Sequence, residues 1–409
     1  METIFQVSKE CVTVRSTGSG RAIVYLHVYT GDGGSVWEKC LELGCRDFTL
    51  VSIGNLERYV ADYERIHRDH SIKPKHSEKP KLGRIAVVGS GPAGLSFATD
   101  MAKWGYDVTV YEAESQLGGV LRYGIPEFCL PNSIIEDELD KMRDLGVTFQ
   151  TDTIVGKTIT YEDLKAQGMD GIFIATGVGV ANYMGIPGED LKGVYTASEY
   201  LAKYNLMSPK ELAEALPSLR GKRVAVIGGG NTAIDAVRTA IRLDAKQATI
   251  VYRRSEEEMP ARAEEIKHAR EEGTEFFNLH NPVEYLGDES GHVTAMRLER
   301  MELGAPDESG RRRPVATGEI ITVPVDEVII CIGYSASTLV TKSMPELEVN
   351  KWGNIVVDEG KKTSMPDVYA GGDIVRGAAT VILAMGDGRR AATAMHQKLS
   401  GRIEEGALV

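Results

Sequence analysis

Two short glycine-rich runs carry the residue types that cradle phosphate. The first is Gly89-Ser90-Gly91-Pro92-Ala93-Gly94, directly after the apolar run Ile85-Ala86-Val87-Val88. The second is Gly228-Gly229-Gly230-Asn231-Thr232-Ala233, after Val224-Ala225-Val226-Ile227. In a strand–turn–helix setting the first glycine permits a tight bend and the second lets the backbone approach a pyrophosphate. The third position lets the helix pack close to the strand, and Ala233 is allowed there. The helix N-terminus then offers free N–H groups and the positive end of a dipole to the phosphates. One such turn is a weak signal. Two in one chain imply two nucleotide cofactors, an arrangement suited to passing electrons between them.

The residues at the ends of the next strands tell the two sites apart. Glu112 stands 23 positions after Gly89. A carboxylate there accepts hydrogen bonds from ribose hydroxyls and repels a 2′-phosphate, so the first site suits FAD or NAD. Further along, Gly371-Gly372-Asp373 places an acid after two glycines, which suits the ribityl or pyrophosphate part of a long flavin cofactor. Gly377-Ala378-Ala379-Thr380 then opens a helix whose N-terminus would stabilise the negative charge of a reduced flavin. These features favour FAD. In the second site Arg253 stands 25 positions after Gly228, followed by Arg254. Two guanidinium groups favour a 2′-phosphate, so NADPH is expected ahead of NADH. A solvated arginine pair at a strand end is the alternative.

The elements that must position these residues repeat along the chain. GRIAVVGSGPAG leads to DVTVYEAE and later GIFIATG; KRVAVIGGGNTA leads to ATIVYRRS and later EVIICIG. Apolar β-rich runs alternating with helical patterns predict parallel sheets with crossover helices. The segment VYAGGDIV and the helical run from Thr380 to Lys398 start no third unit. They would complete the first domain, making the second an insertion. The expected fold is α/β, with two doubly wound Rossmann-like domains and a short helical N-terminal region. The expected boundaries are 1–82 (N-terminal region and linker), 83–190 (FAD domain, first part), 191–334 (NADPH domain) and 335–409 (FAD domain, second part). Apolar residues at helical spacing predict a helix near 55–69, a Lys- and Pro-rich linker follows at 73–83, and a helix is expected over 261–272.

Composition narrows the class. The chain has 409 residues, 42% of them hydrophobic, and a formal net charge of −12. That acidity argues against nucleic acid as a partner, which needs a basic face. No apolar stretch has the length of a membrane span, and the N-terminus lacks a signal-peptide pattern, so a cytoplasmic protein is expected. Five scattered cysteines, Cys11, Cys40, Cys45, Cys129 and Cys331, make no disulfide framework. Neither 117–123 nor 228–260 holds a cysteine, so no redox disulfide is expected beside a flavin. No metal site and no catalytic acid or base is read from the sequence.

With these motifs the chain resembles the small (beta) subunit family of NADPH-dependent glutamate synthase. The matching stretches are VSIGNLERYVADY, VVGSGPAGL, YEAESQLGGVLRYGIPEFCLP, FIATG, VIGGGNTAIDAVRTAIR, VYRRSEEEMPAR and YAGGDIVRGAATVILAMGDGRRAA. The resemblance implies FAD on Gly89 to Gly94, Glu112, Gly119, Arg122, Thr176, Gly177, Gly372, Asp373 and Thr380. It implies NADPH on Gly228 to Ala233, Arg253 and Arg254. It also implies hydride transfer between them and a large catalytic subunit, such as glutamate synthase alpha, as partner. The related subunits that reduce ferredoxin, dihydropyrimidines or sulfur compounds are alternatives, as is a non-catalytic flavin-binding interaction subunit. In the family, 4Fe–4S clusters in a cysteine-rich N-terminal domain relay the electrons, and each cluster usually needs about four thiolates. Residues 1–50 offer Cys11, Cys40 and Cys45 without a C-x-x-C pair. They are read as a truncated, replaced or frame-shifted remnant of that domain. Cys129 and Asn132 stand where the family more often has Arg and Lys.

Overall fold

The computed structural model describes residues 2–7, 10–16, 22–26, 48–68, 82–207, 219–306 and 310–401. These fall into two compact units. The N-terminal unit holds a four-stranded sheet, Glu2–Val7, Glu10–Ser16, Ala22–Leu26 and Phe48–Ser52, in that order. The first three strands pair antiparallel and the last parallel. The helix Ile53–His67 follows. The expectation of a short helical N-terminal region is thus half of what is there. The missed strands are short and rich in β-branched residues, which favour a pleated backbone. The expected linker falls mostly outside the described residues, as do Cys40 and Cys45.

The larger unit contains two five-stranded sheets. In the first the order is Val368–Ala370, Gly171–Ile174, Arg84–Val88, Asp107–Tyr111, Thr148–Gln150, all parallel. In the second it is Val194–Thr196, Glu327–Ile330, Arg223–Ile227, Gln247–Tyr252, Glu275–Asn278, again all parallel. The strand that feeds each glycine-rich turn is central in its sheet. These central strands are covered on both faces, which is why they read as unbroken apolar runs rather than alternating ones. Ile85 and Val87 pack with Phe97, Met101, Ala391 and Met395, while Ala86 and Val88 pack with Ile172, Ile174 and Val340.

The sheet memberships make the chain leave the first sheet after Ile174, build the second, and return at Val368. The outgoing and returning segments pair with each other, Val180–Ala181 antiparallel to Tyr334–Ser335. The sequence did not predict a three-stranded antiparallel sheet, His280–Gly287, Val293–Pro306 and Arg312–Pro324. It covers one face of the second parallel sheet, with Tyr285, Met296 and Leu298 against Ala225, Ile227 and Val251. The helix Val381–Leu399 belongs to this larger unit and Ala263–Glu271 is grouped with the N-terminal one; both lie close to the predicted spans. Among the described residues no helix is long and apolar enough to cross a membrane.

Candidate functional site: two nucleotide-binding turns

At the first turn Gly89 has φ +102°, and a Cβ on it would lie 2.6 Å from the Ala175 carbonyl oxygen. Gly91 is the N-cap of the helix Pro92–Lys103 and has no side-chain cap, while Pro92 begins the helix. A proline there loses no hydrogen bond, because the first helical N–H groups have no intrahelical acceptor. Those N–H groups point out over Gly91, where a Cβ would meet nothing within 4 Å. Gly119 crosses close above, since its Cβ would lie 2.9 Å from the Gly91 Cα. Ser90 is fully buried; its N–H and its hydroxyl both donate to Glu112 Oε2, at 2.8 and 2.5 Å. Glu112 Oε1 accepts from the Glu114 N–H at 3.0 Å. The buried carboxylate is therefore pinned to the turn it serves. Thr176 Oγ1 is buried without a hydrogen-bond partner, and Gly177 beside it has φ +65°. An orphaned hydroxyl beside an open glycine cradle fits a polar ligand at this turn.

Gly372 brings the C-terminal part of the chain to the same place, as its Cβ would lie 3.0 Å from that of Ala93. Asp373 follows, and burial pushes its carboxyl up, opposed by the Ala379 N–H and the Arg376 charge. Thr380 is the N-cap of Val381–Leu399, its hydroxyl accepting from the Leu383 N–H. That helix approaches the first-turn helix closely at Gly388, where a Cβ would lie 2.3 Å from the Ala93 carbonyl oxygen. The charged head of Arg122, predicted to hold FAD, is committed elsewhere. Its Nε donates to the Leu117 carbonyl at 2.8 Å and its other nitrogens to Gln116 and Glu136.

A residue the sequence reading missed holds this loop. Asp387 is fully buried and accepts from the Gly372 N–H at 3.1 Å, from Arg376 Nε at 2.9 Å and from Arg376 Nη2. Lys361 Nζ adds an ion pair at 2.9 Å, from a residue at φ +68°, a conformation lysine rarely takes. The available signal was one acid, Asp387, in the small and apolar stretch Ala384-Met385-Gly386-Asp387-Gly388.

The second turn repeats the first in detail. Gly228 has φ +141°, and its Cβ would lie 2.3 Å from the Cys331 carbonyl oxygen, as Gly89 does toward Ala175. Gly230 is an N-cap without a side-chain cap, and its Cβ would face open space. Asn231 and Thr232 begin the helix Asn231–Arg242, and Ala233 is fully buried. The two arginines part company. Arg253 is exposed at the strand end and makes no hydrogen bond or ion pair among the described residues. Arg254 is buried, and its Nε donates to the Arg312 carbonyl at 2.9 Å.

The two turns are tied together through one loop. The Phe128 ring lies under Arg242 and Arg238, with guanidinium carbons 4.1 and 4.9 Å from its centre. Both arginines are fixed by Glu272 Oε1, at 2.9 and 2.8 Å. Asn205 Nδ2 donates to the Tyr123 and Ile125 carbonyls at 3.2 Å. Cys129 Sγ lies 3.8 Å from Asp235 Oδ1 on the second-turn helix.

Comparison with known proteins gives these sites their class. Residues 83–395 match the model of the pyridine nucleotide-disulphide oxidoreductase family. The chain is 36% identical over 361 residues to the glutamate synthase [NADPH] small chain of Escherichia coli, covering 85% of this chain and 74% of that one. It is 42% identical over 372 residues to the NADP(+)-dependent formate dehydrogenase subunit beta of Moorella thermoacetica, covering 85% of this chain and 51% of that one. The chain thus spans about half the length of that relative and 53% of another, the putative oxidoreductase AegA of Escherichia coli. Among solved structures, Mycobacterium tuberculosis FprA in complex with NADPH has the same fold, with a TM-score of 0.65 at 23% identity over 80% of this chain and 86% of that one.

The chain belongs to the pyridine nucleotide-disulphide oxidoreductase family, in its glutamate synthase small-subunit-like branch. It is an NAD(P)H-dependent flavoprotein oxidoreductase. Neither Cys129 nor Cys331 is in a disulfide.

Proposed function

We propose that this protein takes hydride from NADPH at the second turn, delivers it to FAD at the first, and passes the electrons to a partner subunit. One observation carries the assignment. The two turns share their backbone architecture but end their next strands with opposite charges, buried Glu112 in one and exposed Arg253 in the other. Residues 83–190 and 335–409 form the FAD part and 191–334 the NADPH part. FAD would be held by Gly89 to Gly94, Glu112, Gly119, Thr176, Gly177, Gly372, Asp373 and Thr380. Bound there, it supplies the conversion of a hydride donor into single-electron output. The chain's own residues bind and orient, and no side chain need act as acid or base.

The favoured role is that of glutamate synthase small subunit, feeding a large subunit that converts glutamine and 2-oxoglutarate to glutamate. The Escherichia coli and Azospirillum brasilense small chains support it. A second reading is electron delivery to another acceptor. The formate dehydrogenase subunit of Moorella thermoacetica and the NADPH-Fe(3+) oxidoreductase subunit beta of Geobacter sulfurreducens favour that reading. Partner co-purification separates the two.

Arg253→Ala is expected to weaken NADPH by about 1.5–3 kcal/mol, one charge-assisted bond, with little effect on NADH. Arg254→Ala is expected to act mainly on stability, since its side chain is buried and bonded to backbone. Equal losses for both coenzymes in the Arg253 variant would remove the case for 2′-phosphate recognition. Glu112→Ala is expected to lower the flavin retained through gel filtration; unchanged flavin would count against the assignment of the sites.

A further inference from the structure

The strand that delivers Arg253 creates an electrostatic difficulty for a phosphate ligand. It runs straight on into Ser255-Glu256-Glu257-Glu258. Carboxylates this close to Arg253 oppose the group that Arg253 would meet. Arg312, at the start of the distant strand Arg312–Pro324, answers it. Its Nε donates to Glu258 Oε1 at 2.6 Å and its Nη2 to Glu257 Oε2 at 3.0 Å. Its carbonyl takes the Arg254 Nε at 2.9 Å. One residue thus grips both ends of the loop that begins at Arg253.

The burial of Glu258 makes this grip matter. Its side chain is only 7% exposed. Burial pushes its carboxyl up, but the donors from Ser255 and Arg312 outweigh that and hold it below the usual carboxylate range. It is therefore ionised at neutral pH, and its charge is balanced by a guanidinium, not by a proton. The two carboxylates are met by two different nitrogens of one rigid fork, a task for which lysine, a point charge, is a poor substitute. No coenzyme contact is needed for Arg312 to matter.

We propose that Arg312 is a positioning residue for coenzyme specificity: by neutralising Glu257 and Glu258 and anchoring Arg254, it lets Arg253 accept a 2′-phosphorylated dinucleotide. This rests on the reading of the second turn as an NADPH site.

The test is calorimetric titration of the flavin-loaded protein with NADP+ and with NAD+, for wild type, Arg312→Ala, Arg312→Lys and the triple variant Arg312→Ala/Glu257→Gln/Glu258→Gln. Arg312→Ala is expected to raise the NADP+ Kd about ten-fold and the NAD+ Kd less than two-fold, the signature of a charge acting on one phosphate. The triple variant is expected to recover most of the NADP+ affinity, because the carboxylates that needed balancing are gone. A merely structural role for Arg312 predicts equal losses of NADP+ and NAD+ affinity, since neutralising Glu258 would relieve an unpaired buried charge in either case. Arg312→Lys, which can meet one carboxylate, is expected to raise the NADP+ Kd about three-fold and decides the matter should the alanine variants not fold. A wild type that prefers NADP+ with an unchanged NADP+/NAD+ ratio in the Arg312 variants would overturn this inference alone. A wild type without preference for NADP+ would overturn the reading of the site and this inference with it.

Discussion

Gly94→Ala is expected to cost the protein its flavin and at least about 1–3 kcal/mol of stability, the range for forcing atoms into a packed site. A Cβ on Gly94 would lie 2.0 Å from the Gly89 carbonyl oxygen and 3.3 Å from Val87 Cγ1. The obstacle is backbone, which cannot rotate away as a side chain can. The helix would have to retreat from the strand, moving the N–H groups above Gly91 off the phosphate position. The matching residue of the second turn, Ala233, is fully buried without such a conflict. The reverse change, Ala233→Gly, is expected to cost about 1 kcal/mol through helix propensity, leaving coenzyme binding nearly intact. Thermal unfolding together with the ratio of flavin to protein checks the pair. Equal effects of the two substitutions would mean that the turns do not approach their helices differently.

Asp387→Ala is expected to be comparably damaging for an electrostatic reason. It removes the acceptor shared by Arg376, Lys361 and the Gly372 N–H. Breaking one side of a buried pair costs about 3–5 kcal/mol, and the 28% exposure of the Arg376 side chain places the expectation near the lower end. Flavin retention should fall too, because the freed Gly372 presents Asp373. Burial pushes the Asp387 carboxyl up, but its donors win and hold it below the ordinary carboxylate range. A carboxyl lowered by folding stabilises above its unfolded pKa, and that contribution is lost as pH falls through the folded value. Asp387→Asn is therefore expected to be less stable than wild type at neutral pH and to lose less stability below about pH 4. Parallel stability–pH curves for the two proteins would contradict this.

What the sequence made legible follows from how far apart the partners lie. Each turn is written in six adjacent residues after a buried central strand, so turns, strands and the return of Val368–Ala370 to the first sheet could be read from local pattern. Glu112 and Arg253 were legible because a strand of fixed length sets their spacing from the glycines. Arg312 was not, because its partners Glu257 and Glu258 lie far back along the chain and an arginine in Arg311-Arg312-Arg313 looks like any solvated charge. Asp387 was hidden in the same way, since only the fold shows that Lys361, Arg376 and Gly372 converge on it. The antiparallel sheet escaped because the long strands Val293–Pro306 and Arg312–Pro324 carry many polar residues on an exposed face. The separation of Arg253 from Arg254 is a matter of strand alternation and of Arg312, and adjacency in sequence suggested the opposite.

The account also predicts less than one iron–sulfur cluster per flavin on the purified chain, from the few cysteines of residues 1–50. Iron and acid-labile sulfide in stoichiometric amounts would contradict that prediction.

The most direct test of the central claim is an anaerobic visible spectrum of the purified protein before and after one equivalent of NADPH. The account predicts flavin absorption bands that bleach on addition, with no broad iron–sulfur absorption beneath them. Flavin that stays oxidised, or a protein that carries none, would contradict transfer of hydride from the second turn to the first.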